Sequence, residues 1–463
     1  MAVFRTSVRR VASWIDHWHW ALLLVATPFL LFPSAARSPA LLVVPGLWIS
    51  AGLAQRNPLP RTPLNATLLL LFVMVLVSLW ATYDLLFSLS KIAGMVLCIG
   101  VFFAVVRFTE KAREWWLGIV AYLGVGLGIA VLGLLGTDWL HKVGVFGPIL
   151  ALLPARIIGL PGAESGFSGN ELAGALLWVI PLYLSLMMWL IQHFRAMQLA
   201  WGWACARALV LLLLFATLVV LGYFLLAQSR SGYLGFVAGV PGLVLVCLPS
   251  RWRRLGMLAA FLVFAGMVLL LLGNSSAFST RGNIGMASDP ALSLDTLKGR
   301  AEVWSRAIHA IQDFPLTGMG INTFRRVVHV LYPLFLTSSD FDISHAHNEY
   351  LQAALDLGIP GLIAFVALYL IAFWMLAQVW RLADGSSLVM LIRAIVLGFG
   401  AGLGAHLVYG MTEVVAFGAK PGFVLWMLLG LIVGLYQQTR SGHVSEWQTM
   451  LTHPCKGSVV ILE

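Results

Sequence analysis

Uncharged apolar runs long enough to cross a lipid bilayer recur along most of this chain, and they leave it few folds. A helix needs roughly 20 apolar residues to span the hydrocarbon layer. Hydrophobic residues make up 60% of the 463 and charged residues only 10%, where soluble domains carry about 25% charged. The expected fold is an all-α polytopic membrane protein. Hydropathy predicts about twelve spans, near 18–32, 39–53, 64–82, 85–106, 115–136, 170–192, 207–227, 233–248, 255–273, 350–380, 388–411 and 421–437. The first two are short and also read as one re-entrant pair. The N-terminal segment is basic, and its first apolar run reads as a retained anchor.

The net charge of +10 comes from basic residues scattered over short loops, so it gives no argument for nucleic acid. Their distribution sets orientation instead. With Arg5, Arg9 and Arg10 on the cytoplasmic side, so are Arg56, Arg61, Arg107, Lys111, Arg113, Arg195, Arg207, Arg251, Arg253, Arg254, Arg381, Arg393, Arg440 and Lys456. Both termini are then cytoplasmic. Cys98 and Cys247 fall in spans, Cys205 near a cytoplasmic loop and Cys455 in the cytoplasmic tail, so no disulfide is expected. The expected organisation is spans one to nine over 1–273, with an outside loop at about 137–169. An outside helical loop follows over 274–349, then spans ten to twelve over 350–437, and a cytoplasmic tail over 438–463.

Polar chemistry concentrates in the large outside loop between spans nine and ten. Leu294, Leu297, Ala301, Trp304, Ile308 and Ile311 recur at spacings of three and four, which predicts an amphipathic helix. Ser293 or Asp295 is its expected cap, and Pro315 with Gly318 ends it. A second short helix is expected from Asn322 to Leu331, with Phe324, Val327, Val328 and Leu331 on its apolar side. A third is expected to open at Ser344-His345-Ala346-His347-Asn348-Glu349-Tyr350-Leu351, with Ser344 as N-cap, and to break at Gly358-Ile359-Pro360. That would place His345 and His347 in a first turn, where the helix dipole disfavours imidazolium. The motif also reads as a plain polar cap where a loop re-enters the membrane.

Several cations face the same side. Arg230, in the turn Gln228-Ser229-Arg230-Ser231-Gly232, is either a snorkelling arginine or a fork for phosphate oxygens. Arg300, four residues before Trp304, is either a solvated residue on the helix face or such a phosphate contact, and Arg156, before Gly159 and Gly162, is either a loop surface charge or such a contact. Arg325 and Arg326 read best as a solvated or headgroup-facing pair. Asp340-Phe341-Asp342 near the histidines is a D-x-D pattern of the kind that can hold a divalent metal. It is short and frequent by chance.

Taken in order, these motifs resemble a known family. Gln228 to Gly232, Gly299-Arg300 with Trp304, Asp313-Phe314-Pro315-Leu316-Thr317-Gly318-Met319-Gly320, His345 to Leu351, and Gly358-Ile359-Pro360-Gly361 look like the bacterial O-antigen ligase and polymerase superfamily. Asn170-Glu171-Leu172-Ala173-Gly174 resembles a further motif of that family. The resemblance covers about 156–361. It implies an inverting, metal-independent membrane glycosyltransferase of the GT-C type, with no cofactor. The implied donor is a glycan on undecaprenyl diphosphate, presented at the periplasmic face of the inner membrane. The implied acceptor is a lipid A-core sugar in WaaL-type ligases, or another lipid-linked glycan in Wzy-type polymerases. Membrane lipids are the other partner. Carried over residue by residue, the essential histidine is His347, with His345 beside it, and the essential arginines are Arg230 and Arg300. Arg156, Asn170, Asn348, Glu349, Trp304, Tyr350 and Arg325 are the candidate substrate contacts. A twelve-span transporter or flippase is the alternative from another class; against it, the large loop lies outside and between spans nine and ten.

Overall fold

A computed structural model describes residues 2–31, 39–40, 42–54, 60–137, 166–243, 255–259, 262, 265–266, 297–336, 342–381, 387–417 and 420–441. Its helices in chain order are α1 (Ala2–His17), α2 (His19–Leu31), α3 (Val43–Leu53), α4 (Asn65–Ala81), α5 (Leu85–Phe108) and α6 (Ala112–Gly136). Then come α7 (Gly169–Gln192), α8 (Phe194–Trp201), α9 (Trp203–Leu226), α10 (Arg230–Gly239), α11 (Leu297–Asp313) and α12 (Thr323–Leu331). The last three are α13 (Glu349–Arg381), α14 (Ser387–Tyr409) and α15 (Phe423–Arg440). No strand occurs among the described residues.

Seven described helices are long and apolar enough to cross a membrane: Leu85–Phe108, Ala112–Gly136, Gly169–Gln192, Trp203–Leu226, Glu349–Arg381, Val389–Tyr409 and Lys420–Arg440. Twelve spans are therefore not reached among the described residues. The expected spans at 39–53 and 64–82 appear as helices of 11 and 17 residues. At 1.5 Å per residue these cover roughly 16 and 25 Å, short of the ~30 Å hydrocarbon layer. The expected first span is a 13-residue helix, and the expected eighth overlaps the 10-residue α10 over 233–239. Residues 244–254 and most of 255–273 lie outside the described residues.

The bundle is built around α7 and α14, which share its most extensive helix–helix contact. Helix α10 lies on α14 as closely as backbone allows. A Cβ on Gly235 would fall 2.6 Å from the Ala405 carbonyl oxygen, so glycine lets the start of α10 reach the end of α14. Helix α15 packs on α5 and α13 on α4. One core runs through the bundle and includes Trp178, Phe102, Tyr369 and Trp426, all fully buried.

A smaller second core holds the polar segments at one end of the bundle. It gathers Val303, Ala307 and Ala310 of α11, Phe324 and Val328 of α12, and Ile343, Ala346 and Leu355. The helix expected from the three–four spacing is α11, but it is rotated from the expected stripe: Val303, Ala307 and Ala310 face the core, and Ala301 and Ile308 are exposed. Its expected caps Ser293 and Asp295 lie outside the described residues. Helix α12 follows Asn322, whose φ of +65° makes the turn. Its apolar face differs in one respect from expectation: Phe324 and Val328 are buried and Val327 partly so, but Leu331 is exposed.

The third helix begins later than its sequence suggests. Asn348, not Ser344, caps it, since its Oδ1 accepts the N–H groups of Tyr350 and Leu351 at 3.0 Å each. His345 and His347 therefore lie before the helix, not in its first turn. The expected break is real: Gly358 has φ +70° and ψ 177°. A Cβ there would collide with the Leu316 carbonyl, so the turn carrying Leu316 and the kink of α13 fit together only through glycine.

Candidate active site

The segment joining α14 to α15 has little regular structure of its own, and a carboxylate on α13 holds it. Glu349 is 1% exposed. Its Oε2 accepts from the Val415 N–H at 2.7 Å and the Ala416 N–H at 3.1 Å, and its Oε1 accepts from Ala416 and Phe417 at 3.2 Å each. The Glu349 N–H donates to the Gly410 carbonyl at 2.7 Å. Successive N–H groups converging on one anion form a backbone nest. With both oxygens buried against backbone N–H groups, Glu349 fixes the loop.

That loop delivers Glu413, the group around which the site is arranged. Glu413 Oε1 lies 2.8 Å from Arg300 Nη2, and Arg300 Nη1 donates to the Thr412 carbonyl at 2.7 Å. Glu413 Oε2 lies 3.4 Å from His347 Nδ1, inside ion-pair range and just long for a good hydrogen bond. Asn170, in the first turn of α7, brings its amide 3.5 Å from Glu413 Oε1. Burial on its own would raise the Glu413 carboxyl. Its interaction with His347 and the Arg300 charge outweigh burial and hold it down to about 2. The carboxylate is thus ionised throughout the physiological range.

His347 is held in an unusual backbone state to meet that carboxylate. Its φ is +48°, in the left-handed region, uncommon for a residue with a side chain. Trp304 Nε1 donates to the His347 carbonyl at 3.3 Å, and the His347 N–H donates to His345 Nδ1 at 3.2 Å. Asn348 Nδ2 reaches the Met411 carbonyl at 2.9 Å and ties this turn to the Glu413 loop. The two imidazoles meet edge to face, with centroids 4.3 Å apart. Burial, with His347 beside it, pushes His345 down to about 3, so it stays neutral and serves as the acceptor seen here. The sequence expectation of a neutral histidine holds for His345, but its cause is burial and not a helix N-terminus.

The remaining candidates divide by position. Arg230 opens α10 and is exposed, and its neighbour Ser231 accepts a hydrogen bond from Thr412 Oγ1 at 2.8 Å. The N-terminus of α10 therefore meets the residue next to Glu413. Tyr350 is half-buried and donates to the Leu407 carbonyl at 2.7 Å. Arg325 is committed to Asp342 through two hydrogen bonds and leans over Phe87, away from the Glu413 cluster's own contacts. Arg156 and Asp340 lie outside the described residues. His345, His347 and Glu413 bring ligand atoms within 4.8 Å of one another, a donor set that a divalent ion can use. One Glu413 oxygen is already held by Arg300, and that fixed positive charge disfavours a cation beside it.

Glu413 and Thr412 were not singled out from the sequence. A signal was present: Glu413 is the single acid between Gly410 and Lys420, flanked by Val414, Val415, Ala416 and Phe417. An acid in apolar sequence at a span end needs a partner. That partner lies 113 residues away, so only the fold names it.

Fold and site together define a multi-pass membrane protein with a charged centre at one end of its helix bundle. Residues 215–366 match the family described as O-antigen ligase, a match over about a third of the chain that supports the O-antigen ligase and polymerase superfamily. The family is one of membrane glycosyltransferase-like enzymes with lipid-linked glycan and acceptor substrates. The matched segment contains Arg230, Arg300, His345 and His347, and ends before Glu413. No curated protein matches the chain.

Proposed function

We propose that this protein is an O-antigen ligase. In this reading it transfers a glycan from undecaprenyl diphosphate to a sugar hydroxyl of the lipid A-core, at the periplasmic face of the inner membrane. The observation that carries the reading is the single carboxylate, Glu413, facing His347 and Arg300 together.

With Nδ1 turned to Glu413, Nε2 is the ring atom left for a substrate proton. The acceptor hydroxyl gives that proton to His347 Nε2 as its oxygen bonds to the anomeric carbon of the donor glycan. The bond from that carbon to the diphosphate oxygen breaks, with inversion, and the diphosphate leaves with the electron pair. Its charge is neutralised by Arg230, and by what Arg300 offers beyond its bonds to Glu413 and Thr412. Glu413 stabilises the imidazolium that forms and keeps the ring in place, the part a carboxylate plays beside a histidine base in hydrolase triads. Every group required is a side chain, so the step uses no cofactor.

A Wzy-type polymerase would run the same displacement on the end of a second lipid-linked glycan. The test incubates purified protein with one lipid-linked glycan, with and without lipid A-core, for wild type and His347→Ala. Glycan on lipid A-core is expected from the wild type, with at least a hundredfold loss in the variant. Longer lipid-linked glycan formed without core would replace the ligase by the polymerase. Near-wild-type transfer by folded His347→Ala would overturn the base assignment, and substrate transport into liposomes with no transfer would overturn both enzyme readings.

A further inference from the structure

The layer formed by α11 and α12 is fastened to the membrane-spanning bundle at two separate span ends. At the first, the Ile321 carbonyl accepts from Ser88 Oγ at 2.6 Å, the Ile321 N–H donates to Ser78 Oγ at 2.7 Å, and Asn322 Nδ2 donates to the Phe87 carbonyl at 3.3 Å. Phe87 lies in the first turn of the span Leu85–Phe108, and the guanidinium carbon of Arg326 sits 3.9 Å from its ring centre. At the second, the Ile359 N–H donates to the Pro315 carbonyl at 2.8 Å and the Met319 N–H to the Leu355 carbonyl at 2.7 Å, on either side of the Gly358 kink. These bonds fix the layer against the span ends.

The outward side of this layer is apolar where it has no need to be. Val330, one helical turn beyond Arg326, is 78% exposed, and Phe335 is 83% exposed; Leu331, Leu336 and Leu316 are exposed as well. The segment carrying Phe335 and Leu336 is held in a defined shape. Glu302 accepts the Phe335 N–H at 2.7 Å on one oxygen and the Leu336 N–H at 2.9 Å on the other, and Arg306 Nε donates to the Pro333 carbonyl at 2.9 Å. A carboxylate thus satisfies the backbone donors of a loop that turns Tyr332 and Leu334 towards the second core and Phe335 and Leu336 outward, with the Arg306 guanidinium beside the Phe335 ring. Internal satisfaction of backbone donors lowers the cost of seating a non-helical segment at the headgroup-to-acyl boundary. The apolar surface also continues that of the adjoining span ends, where Trp80, Tyr83 and Leu86 are exposed. Arginines beside apolar side chains on one surface match the headgroup-to-acyl boundary.

We propose that the segment Val330–Leu336 is a membrane-seated lip. Its apolar side chains enter the leaflet on the side of the active site, with Arg326 at headgroup level. This inference rests on the membrane fold and not on the proposed transfer reaction.

The test uses the full chain in proteoliposomes, with Cys98, Cys205, Cys247 and Cys455 replaced by alanine. Phe335→Cys and, separately, Val330→Cys carry a nitroxide label. Leu86→Cys is the lipid reference and His309→Cys, exposed on α11, the water reference. Collisions with oxygen and with an aqueous nickel chelate are measured by power saturation. At 335 and 330 oxygen is expected to exceed the chelate, as at 86 and opposite to 309. Chelate accessibility equal to that at 309 overturns the lip. Protection from both reagents overturns it in favour of a second copy of the chain on this surface.

Discussion

Glutamine at position 413 keeps the shape of the side chain and removes the charge that Arg300 and His347 share. The Arg300 and Glu413 side chains are 13% and 5% exposed. Breaking such a pair outright costs about 3–5 kcal/mol, because the surviving charge stays buried. Glutamine still accepts from Arg300, so about 1.5–3 kcal/mol is expected in stability. The catalytic term is separate. An imidazolium 3.4 Å from the carboxylate gains about 5 kcal/mol at an effective dielectric of about 20. Arg300, on the other oxygen of the same carboxylate, offsets part of this, leaving about 2–4 kcal/mol. At about 1.36 kcal/mol per decade, kcat/KM for Glu413→Gln should fall about 30- to 900-fold. The assay is glycan transfer from lipid-linked donor to lipid A-core by purified protein, normalised to the folded fraction from thermal unfolding. Transfer within threefold of wild type by fully folded variant would remove Glu413 from the mechanism.

Three further expectations follow from the same geometry. Glu349→Gln faces three N–H donors with one oxygen in place of two, so it should lose about 1.5–3 kcal/mol of stability and release the 410–417 loop to hydrogen exchange; unchanged exchange there would refute the nest as the loop's anchor. The Glu413 carboxyl is depressed from 4.5 to about 2, so its contribution, about 3 kcal/mol, is complete above about pH 4.5 and is lost as pH falls towards 2. The melting temperatures of wild type and Glu413→Gln should then converge on acidification, and a constant gap would contradict the assignment. Exhaustive chelation of divalent metals should leave transfer within twofold, whereas a loss reversed by one added metal would make His345, His347 and Glu413 a metal site.

The membrane class was legible from composition alone, because no other environment tolerates so many uncharged apolar runs. The helix α11 was legible from its spacing, but its buried face was not: Val303, Ala307 and Ala310 enter the second core, while Ala301 and Ile308 of the expected stripe are exposed. The start of α13 was not. Ser344 and Asn348 are both acceptable caps, and the choice of Asn348 is settled by its amide bonding Met411, a residue far along the chain. Seven described helices are long enough to cross a membrane, and hydropathy registers a short apolar helix such as α3 much as it registers a full crossing.

For the site, the sequence by itself determined the chemical inventory: two histidines, two arginines and a polar segment in a chain otherwise poor in charge. It also predicted them on one side, through the expected alternation of spans and the basic residues that orient them. Tertiary structure alone decided their wiring. Residues 300, 347 and 413 meet only when α11, the turn before α13 and the loop after α14 converge, and no local pattern encodes contacts across such separations. The same convergence made Glu349 a backbone anchor and Glu413 the centre. A carboxylate's role is set by which donors and charges surround it, and here those donors come from the fold.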